Sequence, residues 1–194
     1  MPYELPMRKI GSVATGLGNI QGRDELASLI GQTANDWNYL EKCMEQLYSG
    51  LMGRMYWAGR EPNATYLVAP NAHPVAYQIF DELESFRAKQ NVFEALLKWA
   101  LINCDSEFLK YKEQTEKPLK NAYKARNRVV HALWGICADY PDALIEVTTF
   151  GQSLVWRKSD FLEELKKIGE GYAAFSKATA KFQQFVAGVI PTPC

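Results

Sequence analysis

Apolar residues recur every three or four positions along most of this chain, and that spacing limits the fold more than any other feature. Trp37, Leu40, Met44, Leu47 and Leu51 follow one another at intervals of 3, 4, 3 and 4, with Asp36, Glu41, Lys42 and Glu45 off the stripe. A helix gathers such positions on one face. A long amphipathic helix is therefore expected to open at Asp24, with a break near Gly31 and an end between Gly50 and Gly59. After a loop rich in proline and asparagine, Ile79, Phe80, Leu83 and Phe86 resume the pattern, followed by Phe93, Leu96, Leu97, Ala100 and Leu101. Gln90-Asn91 reads as the break between two helices. A third run from Ser106 to about Asp139 carries Phe108, Leu109, Leu119, Ala122, Val129, Leu133 and Ile136. Pro118, which lacks an N–H, is expected to kink or restart it.

Between Tyr140-Pro141 and Ser159 the period shortens to two. Ile145, Val147 and Thr149 alternate with Glu146 and Thr148, Gly151-Gln152 supplies a turn, and Leu154 and Trp156 alternate on the return. That is a hairpin pattern. Ser159-Asp160 then starts the last helix, with Glu163 placed as in a capping box, and Leu162, Leu165, Ile168, Tyr172, Phe175, Phe182 and Phe185 carry it to about Val189. The expected fold is all-α, an up-and-down bundle of four to five helices with a small β-hairpin inserted before the last. Residues 1–22, rich in glycine and without periodicity, read as a flexible N-terminal arm that packs on a partner if at all. Residues 23–190 read as one helical domain.

With 47% hydrophobic and 23% charged residues in 194, the chain can bury a core and is neither disordered nor fibrous. Its longest stretch free of charge, Pro62 to Phe80, holds three prolines, two asparagines and a histidine, which an apolar membrane span would not carry. The N-terminus lacks the apolar block of a secretory signal, so a cytoplasmic protein is expected. Cys43, Cys104, Cys137 and Cys194 form no C-x-x-C pair, the usage of a reducing compartment.

Histidine supply decides several functional classes. The chain has two, His73 and His131. Neither follows a glutamate by three residues, as a di-iron bundle requires, and His131 and Cys137 alone do not make a zinc ligand set. No metal or cofactor is expected. The chain also lacks a phosphate-binding G-x-x-x-x-G-K-[ST] loop and a G-x-S-x-G nucleophile elbow. His73, just ahead of Pro74 at a helix start, reads as a cap rather than a catalyst.

Around His131 the sequence is more informative. Between Lys110 and Arg128, seven cations (Lys110, Lys112, Lys117, Lys120, Lys124, Arg126, Arg128) face only Glu113 and Glu116, a local charge of +5 in a chain whose net charge is zero. Such a patch suits a polyanion such as RNA. At about 100° per residue, Tyr123, Asn127 and His131 share one helix face, and Arg126 sits about 140° round from His131. Convergence requires either the length of the arginine side chain or a second subunit.

The segment A-R-N-R-V-V-H-A-L-W, Ala125 to Trp134, resembles the R-x-x-x-x-H signature of the HEPN superfamily, including the polar residue after the arginine, here Asn127. The resemblance implies a helical bundle that dimerises so that two such segments line one cleft. It also implies a metal-independent endoribonuclease of a toxin–antitoxin or phage-defence system, with an antitoxin or defence partner. Its catalytic residues would be Arg126, Asn127 and His131.

Side-chain chemistry accommodates that activity. A histidine takes or gives a proton near neutral pH, and a guanidinium holds a phosphate through paired N–H donors. Attack by the 2′-hydroxyl then leaves a 2′,3′-cyclic phosphate and a 5′-hydroxyl, and DNA is not cut. Lys120, Tyr123, Lys124 and Arg128 are the expected RNA contacts, whereas Trp134 is expected to pack in the core. Two other readings stand beside the enzyme. One is a non-catalytic HEPN-like module that binds nucleotide or RNA or dimerises. The other is an interaction protein in which Arg126 and His131 pair with carboxylates such as Glu41 or Glu94.

Overall fold

The computed structural model describes residues 1–6, 13–16, 20–60, 73–100, 105–148 and 152–186. Its elements are β1 (Tyr3–Glu4), β2 (Ala14–Thr15), α1 (Asp24–Arg60), α2 (Pro74–Asp81), α3 (Phe86–Ala100), α4 (Asp105–Val130), β3 (Leu133–Ile136), β4 (Ala143–Val147), β5 (Ser153–Arg157) and α5 (Lys158–Val186). The chain is mostly helical, but mixed rather than purely all-α. It divides into two compact units, Met1–Trp37 with Lys120–Gly171, and Asn38–Leu119 with Tyr172–Cys194. The sequence pattern alone reads as one arm, 1–22, and one domain, 23–190.

The first unit is built on a five-stranded antiparallel sheet of order β1-β5-β4-β3-β2. The expected hairpin forms its centre, with Ile145 opposite Val155 and Leu144 opposite Trp156; Thr149 and Gly151 lie outside the described residues. Because side chains alternate across a strand, the sheet buries two faces. Leu144 and Trp156 pack with Leu26, Leu29, Val129 and Phe161 on one, and Ala143, Ile145 and Val155 with Leu5 and Cys137 on the other.

Two expectations are corrected here. Parts of the supposed arm are the two edge strands, β1 on β5 and β2 on β3, and Leu5 is buried. Gly135 admits β2, since a Cβ there would lie 2.7 Å from Val13 Cγ1 and 2.9 Å from the Ala14 oxygen. Helix α4, expected to run to about Asp139, stops at Val130, and the segment carrying Leu133 and Ile136 is strand β3. Those residues matched helical spacing, but pairing with β4 and β2 satisfies their backbone instead.

In the second unit, Leu40, Met44, Leu47 and Leu51 are buried as expected, together with Phe80, Phe93, Tyr111 and Phe175. Phe93 meets Phe175 with ring centroids 5.7 Å apart. A Cβ on Gly50 would come within 2.5 Å of Val186 Cγ1, so a larger residue at 50 would force the last turn of α5 away. Helix α1 runs unbroken past Gly31, and α4 continues through Pro118. The helix break falls at Glu82–Ser85 rather than Gln90-Asn91, and Ser85 Oγ accepts the Ala88 N–H (3.1 Å) as the cap of α3. His73 caps α2 as expected, its Nδ1 accepting the Ala76 N–H at 3.3 Å.

Candidate functional site

Helix α4 carries its last intrahelical pairing to the edge of the site, where the His131 N–H bonds the Asn127 carbonyl at 3.1 Å. His131 occupies the bend that follows Val130, one residue beyond the helix rather than within it. A helix end leaves carbonyls without partners. Here the Trp134 indole N–H takes the Val129 carbonyl at 3.0 Å, which folds the chain back over the end of α4. Trp134 is anchored in turn by aromatic packing, 5.3 Å from Trp156 and 5.2 Å from Phe161 between ring centroids. Such pairs add roughly 0.5–1.5 kcal/mol each beyond the area they bury. The exposed bend that presents His131 thus rests on a packed floor.

Three of the residues singled out in the sequence meet there. Arg126 Nη1 donates to Asn127 Oδ1 at 3.0 Å and also to His131 Nε2. The length of the arginine side chain closes the gap, so the set assembles within one chain. Because guanidinium has no acceptor, Nε2 must offer its lone pair, and the ring proton is then on Nδ1. A protonated imidazole has no such lone pair and would face Arg126 as a like charge. Arg126 and Asn127 are half-buried and His131 is exposed, so the pair is held from below and open to solution.

The expected RNA contacts divide. Lys120 and Lys124 are exposed on α4. Tyr123 is half-buried, its ring 5.8 Å from that of the buried Trp37 and tilted by 50°. Arg128 turns elsewhere. Its guanidinium lies 4.7 Å over the Trp156 ring and forms ion pairs with Glu146 (3.9 Å) and Glu164 (3.7 Å). It therefore lies in a cluster separate from Arg126 and His131.

Those glutamates were missed in the sequence, although Glu164 left a sign. The buried stripe of α5 is Phe161, Ile168, Phe175 and Phe182, whereas Leu162, assigned to it above, is 44% exposed. Glu164 falls between Phe161 and Ile168 at helical spacing, a charge on the apolar face, and it is buried with Lys167 on it at 2.9 Å. The cap of α5 also differs from expectation: Asp160, not Glu163, reaches back, accepting the Arg157 N–H at 2.9 Å. Glu41 and Glu94, the suggested partners of Arg126 and His131, instead hold Lys89 (3.8 Å) and Lys112 (3.6 Å).

Among the described residues, no helix is long and apolar enough to cross a membrane. In comparisons with protein-family models, curated proteins and solved structures, the chain matches none.

Proposed function

We propose that this protein is an endoribonuclease that cuts RNA through Arg126, Asn127 and His131. The observation that carries the reading is the single guanidinium nitrogen joined to both Asn127 Oδ1 and His131 Nε2. A phosphodiester arriving at the pair offers Arg126 charged acceptors, which compete for its N–H donors more strongly than a neutral imidazole. Once the guanidinium turns to the phosphate, Nε2 is released as a base. It accepts the 2′-hydroxyl proton, the 2′-oxygen bonds to phosphorus, and the bond from phosphorus to the 5′-oxygen breaks. The 5′-oxygen leaves with a proton returned by the imidazolium. Arg126 stabilises the charge that builds on the phosphoryl oxygens, and Asn127 keeps the guanidinium on the histidine side of the helix.

Every step in this scheme uses side chains of this chain, so cleavage is expected to persist in EDTA. Incubation with total RNA should yield 2′,3′-cyclic phosphate and 5′-hydroxyl ends. His131→Ala should lower the rate by about 10²–10⁴-fold while leaving salt-sensitive RNA binding in place. An equally active His131→Ala protein overturns the proposal. One observation favours the second reading, a module that binds RNA or nucleotide without turnover: Arg126 occupies the nitrogen that the base needs. Salt-sensitive RNA binding by the unmutated protein without any cleavage would select it. The HEPN resemblance further suggests a homodimer in which the segments of two subunits line one cleft, acting in a defence or toxin–antitoxin setting; because Arg126, Asn127 and His131 meet within one chain, each subunit would bring a complete set to it.

A further inference from the structure

A second polar groove lies in the same unit, on the α4 and α5 side of the sheet. It encloses about 350 Å³ and is lined by Asn121, Lys124, Ala125, Arg128, Glu164 and Lys167. None of Arg126, Asn127 and His131 lines it, and on α4 Arg128 sits about 100° round from Asn127. Three cations and one carboxylate face this space.

The donors in the groove are under-used. Arg128 is fixed by the face of Trp156, yet its ion pairs at 3.7 and 3.9 Å are too long to be hydrogen bonds. Its planar set of N–H groups is therefore held in place without a hydrogen-bond acceptor among the described residues. Lys124 and Asn121 make no ion pair or side-chain hydrogen bond among the described residues. Buried Glu164 is the acceptor within the lining, and one of its oxygens serves both Lys167 (2.9 Å) and Arg128 (3.7 Å). A phosphate oxygen set matches donors arranged in this way.

We infer that this groove binds a phosphate group, with Arg128 and Lys124 as the principal donors, Asn121 as a neutral donor and Lys167 at the rim. Glu164 sets the positions of Arg128 and Lys167 and at the same time limits affinity by its own charge. The site is separate from Arg126 and His131 and does not depend on the RNA-cleaving reading. A phosphate of a polynucleotide backbone and free phosphate present the same chemistry to it.

The test uses the Arg126→Ala/His131→Ala double variant, so that the proposed cleavage site contributes nothing, with inorganic phosphate titrated against the ¹⁵N-labelled protein. Amide and arginine side-chain signals of Asn121–Arg128 and Glu164–Lys167 are expected to shift and saturate. Adding Lys124→Ala, an exposed change that leaves the core intact, should weaken binding about tenfold. Glu164→Gln keeps an acceptor oxygen but removes the opposing charge, and should tighten binding about tenfold. Loss of folding cannot mimic a gain in affinity. A single-stranded oligodeoxynucleotide, which carries phosphates but no 2′-hydroxyl, then identifies the source. Competition with phosphate assigns the groove to a polynucleotide backbone, and its absence assigns it to free phosphate. No saturable shift in this segment, or shifts indifferent to both added substitutions, overturns the inference.

Discussion

Arg126 shows how much one side chain decides. Its helix position points it away from His131, and spacing alone left open whether a second subunit was needed. Its length and its five donors let it bond Asn127 and His131 together. The identity of this set was legible in R-N-R-V-V-H, but the convergence was not, because helix angles describe Cβ directions and say nothing of a long side chain's reach. Arg128 illustrates the converse. Read as one of seven cations on a basic helix, it is claimed by Trp156, Glu146 and Glu164, partners 18 to 36 residues away that no local pattern reveals. Tyr111 yields a stability prediction at the same scale. Thr115 spends its hydroxyl proton on the Tyr111 carbonyl (2.8 Å), and the buried phenol oxygen has no hydrogen-bond partner among the described residues. Burial pushes the phenol above its ordinary value near 10, so the folded chain keeps a proton that the unfolded chain releases. Ionisation of Tyr111 therefore adds no penalty to folding below about pH 10, and folding is increasingly disfavoured as the pH rises further, because only the unfolded chain can release the proton. Tyr111→Phe should raise stability at pH 7 by about 1 kcal/mol and flatten the alkaline decline. Urea unfolding at neutral and alkaline pH measures both, and a less stable variant with an unchanged decline would contradict the assignment.

Among the elements, the long helices and the central hairpin were readable, and strands β1, β2 and β3 were not. Trp37, Leu40, Met44, Leu47 and Leu51 repeat often enough to define a buried stripe, whereas β1 and β2 have two residues each, too few to display alternation. Strand β3 reads as helix in the sequence because Val129, Leu133 and Ile136 fall at intervals of four and three. What ends α4 is largely non-local: β3 pairs with β4 and β2, and a short-range bond from the Trp134 indole to the Val129 carbonyl closes the helix end. This junction positions His131, and Trp134→Phe tests it by keeping a ring in the aromatic cluster while removing the N–H. The variant should lose about 1 kcal/mol of stability for the abandoned carbonyl, and RNA cleavage should fall while RNA binding holds. Unchanged stability and cleavage would show that the indole bond does not govern the bend.

For the whole molecule, the useful fact is where the candidate residues lie. Lys120, Tyr123, Lys124, Arg126, Asn127, Arg128 and His131 all belong to the unit that contains the sheet, including the strands contributed by the first 15 residues. The N-terminal segment thus bears on the framework behind the site, a role that its glycine content and lack of periodicity concealed. Since Arg126, Asn127 and His131 meet inside one chain, a homodimer would carry two complete sets rather than one set shared across an interface. That distinction can be measured by mixing Arg126→Ala and His131→Ala proteins under subunit-exchange conditions, adding RNA in EDTA, and assaying cyclic-phosphate ends beside the unmutated protein. The unmutated protein should cut, while each variant alone and the mixture remain inactive, because no subunit in the mixture holds both residues. Activity restored on mixing would mean that arginine and histidine act across subunits, and an inert unmutated protein would contradict the cleavage itself.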